Sequence, residues 1–496
     1  MPAPPDWTPH LPAGLDPGAV DLRPAANLAA RFIERWRERG DAPTLQDTDG
    51  TWYGADELEA RTRTVALRLR AAGLRTGDRL VIAAQSSAAF VIGYVAALRA
   101  GLTVVTLNLA YTRPEITAIV GDARPAAALV DDDEKARWIR DAAGGELAVH
   151  GLDVELADGL DDGSLDAAGS EDTALIIYTS GTTGAPKGVP LSHANLLASA
   201  SAVNLAWRWT PEDRLLLALP LFHVHGLGVG INGSLCAGAA VLVRPRFDVQ
   251  DIAAHAGHGA TLFFGVPTMY ERLTRAGRGG DLRRLRLLVS GSAPLSAQLA
   301  QAVAEQSGQL PLERYGMTET IMLTGNPYDG ERRPGTVGFP FPGVELRLGE
   351  LDEVQVRGPN VITGYLDRPQ ATAQAFTHDG WFRTGDLGEF DADGYLRLVG
   401  RSKELIITGG YNVYPREVEE ALASHPAVRE VAVVGRPSEQ WGEQVTAVVV
   451  ADAEVDGDAL RAHAAQSLAP YKVPKAIEFA AELPRNAMGK VVRGEL

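Results

Sequence analysis

The chain has 496 residues, 45% of them hydrophobic and 22% charged, which is typical of a globular protein with two or three domains and excludes a largely disordered one. Its formal net charge of −16 argues against a general nucleic-acid-binding protein, which needs a basic face, but permits anionic small ligands because a few Lys and Arg side chains set the local potential. The single cysteine, Cys236, excludes an intramolecular disulfide and a multi-cysteine metal site.

The first residues of the sequence do not have the pattern of an export signal. The segment MPAPPDWTPHLPAGLDP has no basic region followed by an apolar core. No uninterrupted apolar run approaches the length of a membrane span, and a single cysteine suits a reducing compartment. We therefore expect a cytoplasmic protein without a membrane span and without a nucleic-acid partner.

Strand-like and helical patterns alternate along the first two thirds of the chain. Apolar residues have helical spacing over 25–39. Short apolar runs then predict strands at 79–84, 102–107, 174–178 and 215–219, and alanine-rich runs predict helices at 90–100, from 115, at 194–203 and at 226–237. This alternation predicts mostly parallel sheets with helices on both faces.

The pattern changes after about residue 344. Strands at 354–357 and 395–399 are separated by turn signals, and a compact unit follows Gly400, with predicted strands at 405–408, 431–435 and 445–450 and helices at 415–424 and 459–468. We therefore predict an α/β fold with a large N-terminal domain, residues 1–400, joined by a hinge to a small α+β C-terminal domain, residues 401–496.

A segment rich in glycine and hydroxyl groups follows the predicted strand 174–178. Its sequence is Thr179-Ser180-Gly181-Thr182-Thr183-Gly184-Ala185-Pro186-Lys187-Gly188. Small residues let backbone N–H groups face an anion, hydroxyl groups add donors, and Lys187 adds a charge. The segment is not a Walker loop, because Pro186 precedes the lysine and Gly188 replaces a magnesium-binding Ser or Thr. It predicts a phosphate-binding loop, with a flexible surface loop as the alternative.

The segment Tyr315-Gly316-Met317-Thr318-Glu319-Thr320 combines residue types that suit a nucleotide and its metal. An aromatic face suits a purine, and the carboxylate of Glu319 is the hard oxygen ligand that Mg²⁺ prefers. The alternative is a helix that begins at Thr318, with Glu319 as its capping partner.

Taken in order, these segments and those near the C-terminus resemble the signature motifs of the adenylate-forming superfamily, which includes acyl-CoA synthetases, peptide-synthetase adenylation domains and beetle luciferases. The resemblance implies that Tyr315 stacks on adenine, Thr318 contacts the α-phosphate and Glu319 holds Mg²⁺. It implies a larger nucleotide-binding set that also includes the phosphate loop residues Thr179, Ser180, Gly181, Thr182, Thr183, Gly184 and Lys187, and Ser292, Ala293, Pro294, Glu313, Gly316 and Met317.

The resemblance extends through the small predicted domain. It implies that Asp386, in WFRTGD, and Arg401, in GRSKE, bind the ribose, and that Lys403 is the hinge residue. The turn Gly409-Gly410-Tyr411 would line the pantetheine tunnel of coenzyme A, and Lys490, in PRNAMGK, would bind the reacting carboxylate and the α-phosphate. Taken alone, Asp386 could be a turn residue and Lys490 a solvated lysine.

The implied activity is an ATP-dependent acid–thiol ligase that uses Mg²⁺, forms an acyl-adenylate and passes the acyl group to coenzyme A. Such a reaction brings anions together, so the protein must mainly position the reactants and neutralise charge on phosphorus. It needs no cysteine nucleophile.

Four further segments, 220–227, 264–272, 290–295 and 313–316, are similar to those of malonyl-CoA synthetases. In that subfamily arginines at the positions of Arg272 and Arg314 bind the distal carboxylate, and the resemblance places His223 and Ser292 in the same acid site, His223 also as a catalytic residue. A fatty-acid pocket would leave these guanidinium groups without a partner, whereas a diacid supplies one with bidentate geometry. A short dicarboxylate is therefore the expected substrate.

Several alternatives remain open at this point. Arg272 could lie on a helix surface, and Arg314 could pair with Glu313 or with the nucleotide. The chain could activate a fatty or aryl acid instead, or be a carrier-dependent adenylation enzyme. Methylmalonate differs from malonate by one methyl group, which is worth only about 1–3 kcal/mol, so we expect both acids to be used.

Overall fold

The structure is a computed structural model that describes residues 6–153, 165–179, 186–485 and 491–496. The strands are β1 (Pro43–Gln46), β2 (Trp52–Gly54), β3 (Arg79–Ala83), β4 (Thr103–Thr106), β5 (Ala127–Val130), β6 (Ala148–His150), β7 (Thr173–Thr179), β8 (Lys187–Ser192), β9 (Arg214–Leu217), β10 (Ala240–Val243), β11 (Leu262–Gly265), β12 (Leu287–Ser290), β13 (Leu312–Tyr315), β14 (Thr324–Gly325), β15 (Phe339–Pro340), β16 (Glu345–Leu348), β17 (Glu353–Arg357), β18 (Phe382–Phe390), β19 (Leu396–Arg401), β20 (Ile406–Thr408), β21 (Tyr411–Val413), β22 (Val428–Ser438), β23 (Gly442–Ala451) and β24 (Ala476–Phe479).

The α-helices alternate with these strands over much of the chain. They are α1 (Leu28–Arg39), α2 (Ala55–Ala71), α3 (Ala88–Arg99), α4 (Arg113–Ala123), α5 (Asp133–Ala142), α6 (His193–Ala206), α7 (Asn232–Ala237), α8 (Val249–Gly257), α9 (Pro267–Arg275), α10 (Ala297–Ser307), α11 (Pro369–Ala375), α12 (Pro415–Ala423) and α13 (Gly457–Ala464). None of the helices in the described part of the chain has the length and apolarity required to cross a bilayer.

Two large sheets form the centre of the N-terminal domain. One has the strand order β15-β14-β13-β12-β11-β9-β10-β1-β2 and is parallel from β13 to β1. The other has the order β6-β5-β3-β4-β7-β8 and is parallel except for its last pair, β7 and β8. The predicted α/β class with mostly parallel sheets is therefore confirmed.

The two sheets share one apolar core. Helix α3 lies within it, capped at its N-terminus by Ser87, whose side chain accepts the N–H of Phe90. Every residue of α3 except Ala89 is buried, so this helix is enclosed by the core on nearly all sides. This packed core fixes the positions of the carboxyl ends of the parallel strands, and the site residues lie at those ends.

The C-terminal part of the chain forms two smaller sheets. Strands β16 to β19 form an antiparallel sheet, and β21-β20-β23-β22 with β24 form the sheet of the small domain. The chain passes from one sheet to the other between Arg401 and Ile406. The small domain has its own apolar core, which includes Ile406, Val433 and Val445. A separate core is what an independently moving domain requires.

One predicted helix has an unexpected winding. Residues 226–237 were expected to form a single helix, but His225–Ile231 form a π-helix and only Asn232–Ala237 continue as an α-helix. Glycine permits this close packing, because a Cβ added to Gly226 would lie 2.3 Å from the carbonyl oxygen of Pro220. π-helical turns are frequent at functional sites, and this one begins beside the buried arginine described below.

Candidate active site

The predicted phosphate loop joins two antiparallel strands. Thr179 ends β7 and pairs with Lys187, the first residue of β8. The loop residues Ser180, Gly181, Thr182, Thr183 and Gly184 lie outside the described residues. Lys187 is half-buried, and its Nζ lies 5.3 Å from the ring centroid of Tyr365. The charge of Lys187 is therefore held next to an aromatic face.

The 315–319 segment follows β13 in a tight turn without a helix. A Cβ added to Gly316 would lie 2.2 Å from the carbonyl oxygen of Ile321, so only glycine fits this close approach. No helix begins at Thr318, and the helix-cap alternative is therefore wrong. The carboxylate of Glu319 is buried and accepts the hydroxyl of Tyr365 at 2.9 Å. Burial raises the pKa of Glu319, and this hydrogen bond partly offsets the shift.

Three residues predicted to bind the nucleoside converge although they are far apart in the sequence. The carboxylate of Asp386 is buried, and its Oδ2 accepts the hydroxyl of Tyr315 at 2.5 Å. Nε of Arg401 lies 2.8 Å from the other oxygen, Oδ1, and the charge of Asp386 raises the pKa of Arg401. Asp386 is thus held by partners from β13 and β19, not merely by a turn.

Arg314 is a buried cation without a partner among the described residues. The residue is 5% exposed, and neither Nε nor Nη2 makes a hydrogen bond within that part of the chain. Burial lowers the pKa of Arg314 to about 9, so the group is still charged at neutral pH. A Cβ added to Gly291 would lie 2.3 Å from Nε of Arg314, and the guanidinium therefore packs directly on the backbone after β12.

Glu313 does not pair with Arg314. Neighbouring side chains of a strand point to opposite faces, and Oε1 of Glu313 accepts the backbone N–H of Leu295 at 2.9 Å. Burial raises the pKa of Glu313 to about 7. Glu313 therefore holds the 291–295 loop in place, and a Glu313–Arg314 ion pair is excluded as the explanation for the buried arginine.

His225 is the residue that the sequence analysis missed at this site. It is buried, its Nδ1 lies 3.1 Å from Oγ of Ser292, and its Nε2 has no partner among the described residues. Burial, followed by the charge of Arg314, lowers the pKa of His225 well below its usual value, so the ring is neutral. Ser292 has a φ of 68°, a left-handed conformation that is uncommon for serine. In this conformation its hydroxyl lies within hydrogen-bonding distance of His225.

His223, which the sequence analysis selected, is half-buried, and its Nδ1 accepts the backbone N–H of His225 at 3.2 Å. Both histidines lie in the segment 220–227 that the sequence singled out. Which of them contacts Ser292 depends on the π-helical winding, which no feature of the sequence indicates.

Arg272 and Arg314 lie in different environments. Arg272 is exposed on α9, and its guanidinium carbon lies 4.8 Å from the ring centroid of Phe247. This is the surface position that the sequence analysis kept as an alternative.

The remaining predicted residues lie at the edges of the site. Ala293 and Pro294 follow Ser292 in the loop after β12, and Met317 is half-buried in the turn after β13. Lys403, Gly409, Gly410 and Tyr411 are exposed on the small domain, where the ring of Tyr411 stacks on Tyr471 at 4.6 Å. Lys490 lies outside the described residues.

Glu319 is the described side chain that best fits a magnesium ion. It is a buried carboxylate with one hydroxyl donor, a setting in which a cation would be a favourable partner. The described residues contain no group of three or more His, Cys, Asp and Glu side chains that could hold a metal. A Mg²⁺ ion at Glu319 would need further oxygen ligands from outside this set of side chains, which is common for Mg²⁺ in proteins.

Comparison with known proteins gives the same picture of the whole chain. The family model described as AMP-binding enzyme matches residues 32–366, and the model described as AMP-binding enzyme C-terminal domain matches residues 417–490. A feruloyl-CoA synthase from Amycolatopsis sp. is 38% identical over 90% of this chain and 94% of its own length.

Two solved structures are similar over nearly their full length. The crystal structure of ATP-bound MatB from Rhodopseudomonas palustris has a TM-score of 0.89 and 38% identity, covering 95% of this chain and 98% of that one. A malonyl-CoA ligase ternary product complex with methylmalonyl-CoA and AMP has 41% identity but a TM-score of 0.67, covering 90% of this chain and 97% of that one.

Proposed function

This chain belongs to the AMP-binding enzyme family and is an AMP-forming acid–CoA ligase, and we propose that its acid is a short dicarboxylate, malonate or methylmalonate. The observation that carries the proposal is the buried guanidinium of Arg314, which has no partner for Nε or Nη2 among the described residues. The distal carboxylate of a diacid would be that partner.

The cost of burying Arg314 makes this proposal physically specific. A buried charge is expensive unless an opposite charge and hydrogen bonds compensate it. An alkyl or aryl group in the pocket would keep water away from Arg314 and supply no acceptor. A carboxylate supplies two oxygens in the geometry that a guanidinium fork prefers.

We propose that the neutral ring of His225 and the hydroxyl of Ser292 complete the acid site around Arg314. Nε2 of His225 is buried without a described partner, and Nδ1 is already held by Ser292, so the free nitrogen is available to the acid. Arg272 is a second candidate for the distal carboxylate. Its exposure means that it would contribute less than Arg314, because solvent screens an exposed charge.

For the first step, we propose that Tyr315, Asp386 and Arg401 hold the nucleoside and that Thr318, Lys187, Lys490 and the 179–184 loop neutralise the phosphates. Glu319 would hold Mg²⁺, which when bound would neutralise phosphate charge. The acid carboxylate attacks the α-phosphorus, its new bond forms to that atom, and pyrophosphate leaves. Asp386 can accept ribose hydroxyls in addition to its present donors, because a carboxylate has about four acceptor positions.

For the second step, we propose that the small domain, residues 401–496, rotates about Lys403 and brings Gly409, Gly410 and Tyr411 to the acid site as part of the coenzyme A tunnel. Two observations support this. These residues are exposed here, and the TM-score is higher with an ATP-bound relative than with a more similar relative bound to the thioester product. Contacts between Arg275 and Asp452, at 3.3 Å, and between Arg397 and Glu420 would break in such a rotation.

The alternative substrate is an acid without a second charge, and sequence similarity to known ligases does not exclude it. A feruloyl-CoA synthase is nearly as similar in sequence as the malonyl-CoA ligase, with 38% against 41% identity. The two candidates therefore differ at the acid pocket and not in the fold.

A pyrophosphate-release panel tests the proposal. The acids are malonate, methylmalonate, acetate, butyrate, octanoate, palmitate, benzoate and ferulate, each with and without coenzyme A, and acyl-CoA is identified by mass. We expect malonate and methylmalonate to give the highest kcat/KM, within about one order of magnitude of each other because they differ by one methyl group. A preference for octanoate, palmitate or ferulate would refute the dicarboxylate proposal and leave the ligase assignment intact.

A further inference from the structure

We propose that Tyr365 is a positioning residue for the nucleotide half of the reaction, whose hydroxyl orients the carboxylate of Glu319 and whose ring orients the ammonium group of Lys187. It thereby links the phosphate loop to the candidate magnesium ligand. The inference goes beyond the acid assignment and rests on the proposed role of Glu319 as a metal ligand. None of the sequence motifs discussed above contains Tyr365.

Tyr365 lies in a strap, residues 359–368, that ties together the elements around the nucleotide site. The backbone N–H of Ile362 donates to the carbonyl oxygen of Glu319 at 3.0 Å. The backbone N–H of Leu366 donates to the carbonyl oxygen of Gly188 at 3.0 Å. The backbone before Tyr365 is thus anchored to the turn after β13, and the backbone after it is anchored to the first residues of β8.

Two buried asparagine side chains fix the strap further. Nδ2 of Asn195, on α6, donates to the carbonyl oxygens of Pro359 and Val361. Nδ2 of Asn360 donates to the carbonyl oxygens of Thr320 and Met322 at 2.7 and 2.8 Å. Buried side chain–backbone bonds of this kind stabilise one conformation, because breaking them leaves polar groups unsatisfied. Tyr365 is therefore presented at a fixed position.

The hydroxyl of Tyr365 acts on Glu319. It donates to Oε1 at 2.9 Å and so selects one orientation of a buried carboxylate, leaving the second oxygen for a ligand. A carboxylate without this bond would sample other rotamers and would have to be ordered when Mg·ATP binds. Holding a ligand in place by a second residue is a general requirement of metal sites.

The ring of Tyr365 acts on Lys187. Nζ lies 5.3 Å from the ring centroid, within the range of a cation–π contact. The contact holds the ammonium group at the start of β8, where the chain leaves the phosphate loop. The two contacts use different parts of one side chain, so two substitutions can separate them.

The test uses Tyr365→Phe, which removes the hydroxyl, and Tyr365→Leu, which removes the hydroxyl and the ring. Binding of a fluorescent ATP analogue is titrated at equilibrium over a range of Mg²⁺ concentrations, without acid and coenzyme A. For Tyr365→Phe we expect the Mg²⁺ concentration for half-maximal binding to rise about tenfold, the loss typical of a hydrogen bond to a charged group. For Tyr365→Leu we expect a further loss of about three- to tenfold in ATP affinity.

Tyr395→Phe is a matched control. The hydroxyl of Tyr395 also donates to an oxygen, the carbonyl of Glu331 at 2.7 Å, and Arg333 lies over its ring at 4.2 Å, but this residue is at the far end of the β18–β19 hairpin from Asp386. We expect ATP binding by Tyr395→Phe to be within about twofold of the parent chain. Equal losses in the two Phe variants would overturn the proposal.

A double-mutant cycle with Glu319→Gln decides whether the hydroxyl acts through Glu319. We expect the effect of Tyr365→Phe on ATP affinity to be largely lost in the Glu319→Gln background, because coupled residues are not additive. An undiminished effect in that background overturns the proposal. If ATP binding by Glu319→Gln alone has an unchanged Mg²⁺ dependence, the metal role of Glu319 is refuted. The coupling between Tyr365 and Glu319 would still be measured from the ATP affinities of the single and double variants. In turnover assays, Tyr365→Phe should lower the rates with malonate and butyrate by the same factor. The result for Tyr365 therefore does not depend on whether the proposed acid is correct.

Discussion

Replacement of Arg314 by alanine tests the acid assignment most directly. Arg314 is 5% exposed as a residue, and its Nε and Nη2 have no described partner, so the free protein already bears the cost of removing this charge from water. A distal carboxylate would recover that cost on binding. Removing one partner of a buried ion pair typically costs about 3–5 kcal/mol, which corresponds to about two to nearly four powers of ten in kcat/KM.

The assay is initial-rate formation of acyl-CoA with malonate and with butyrate, for the parent chain, Arg314→Ala, Arg314→Lys and Arg272→Ala. We expect Arg314→Ala to lose about 10²- to 10⁴-fold with malonate and much less with butyrate, which lacks the distal carboxylate. The kcat/KM of Arg314→Lys with malonate should lie between those of the parent chain and Arg314→Ala, because lysine keeps the charge and loses the bidentate fork. Arg272→Ala should have a smaller effect, because Arg272 is exposed.

The ratio between the two substrates is the diagnostic quantity, because misfolding or loss of ATP binding would lower both rates together. The stability of the free protein is an internal check. Since Arg314→Ala removes an uncompensated buried charge but leaves a cavity, its Tm should change little even though malonate use collapses. An equal loss with malonate and butyrate would move Arg314 to the nucleotide site and favour an acid without a second charge.

Three further predictions follow from other parts of the site. Gly291→Ala should mimic Arg314→Ala in selectivity, because its Cβ would lie 2.3 Å from Nε of Arg314; an unchanged malonate-to-butyrate ratio would contradict this packing. Glu319→Gln should raise the Mg²⁺ requirement for pyrophosphate release while the far-UV circular dichroism and Tm stay close to those of the parent chain, and an unaltered requirement would assign the ion to another residue. Lys490→Ala should nearly abolish adenylate formation and spare thioester formation from supplied acyl-adenylate, whereas similar losses in both half-reactions would argue against alternating domain positions.

The residue types of the 315–319 turn could be recognised from the sequence because they are adjacent, whereas Asp386 and Arg401 approach Tyr315 only in the folded chain. Tyr315 and Glu319 lie in one tight turn, and the type of each side chain reports its chemistry directly. What the sequence could not supply was the partner of each group. The hydroxyl of Tyr315 contacts Asp386, which is 71 residues away in the sequence, and Glu319 contacts Tyr365, which is 46 residues away. Both contacts depend on how distant segments pack.

The relative placement of the candidate acid-site residues could not be predicted from the sequence, for a different physical reason. The choice between His223 and His225 depends on the winding of one helix, and a π-helical turn shifts which side chain faces Ser292. Arg272 and Arg314 are equivalent as residue types, yet one lies on the surface and the other is buried. Helical periodicity marks α9 as amphipathic but does not say whether its polar face meets solvent or a ligand.

The identity of the acid is a question about one or two side chains, and sequence identity averages over the whole fold. Identity is averaged over an alignment of 466 residues in the case of the feruloyl-CoA synthase, so relatives named for different acids can have nearly the same identity to this chain. Discrimination between a carboxylate and a methyl group at the end of the acid needs only about 3–5 kcal/mol, which one buried guanidinium can provide. The electrostatic environment of Arg314 is therefore stronger evidence about the acid than a difference of a few per cent in identity. By the same reasoning, a homologue with an apolar side chain in place of Arg314 should prefer an uncharged acyl group, however similar the rest of its sequence is.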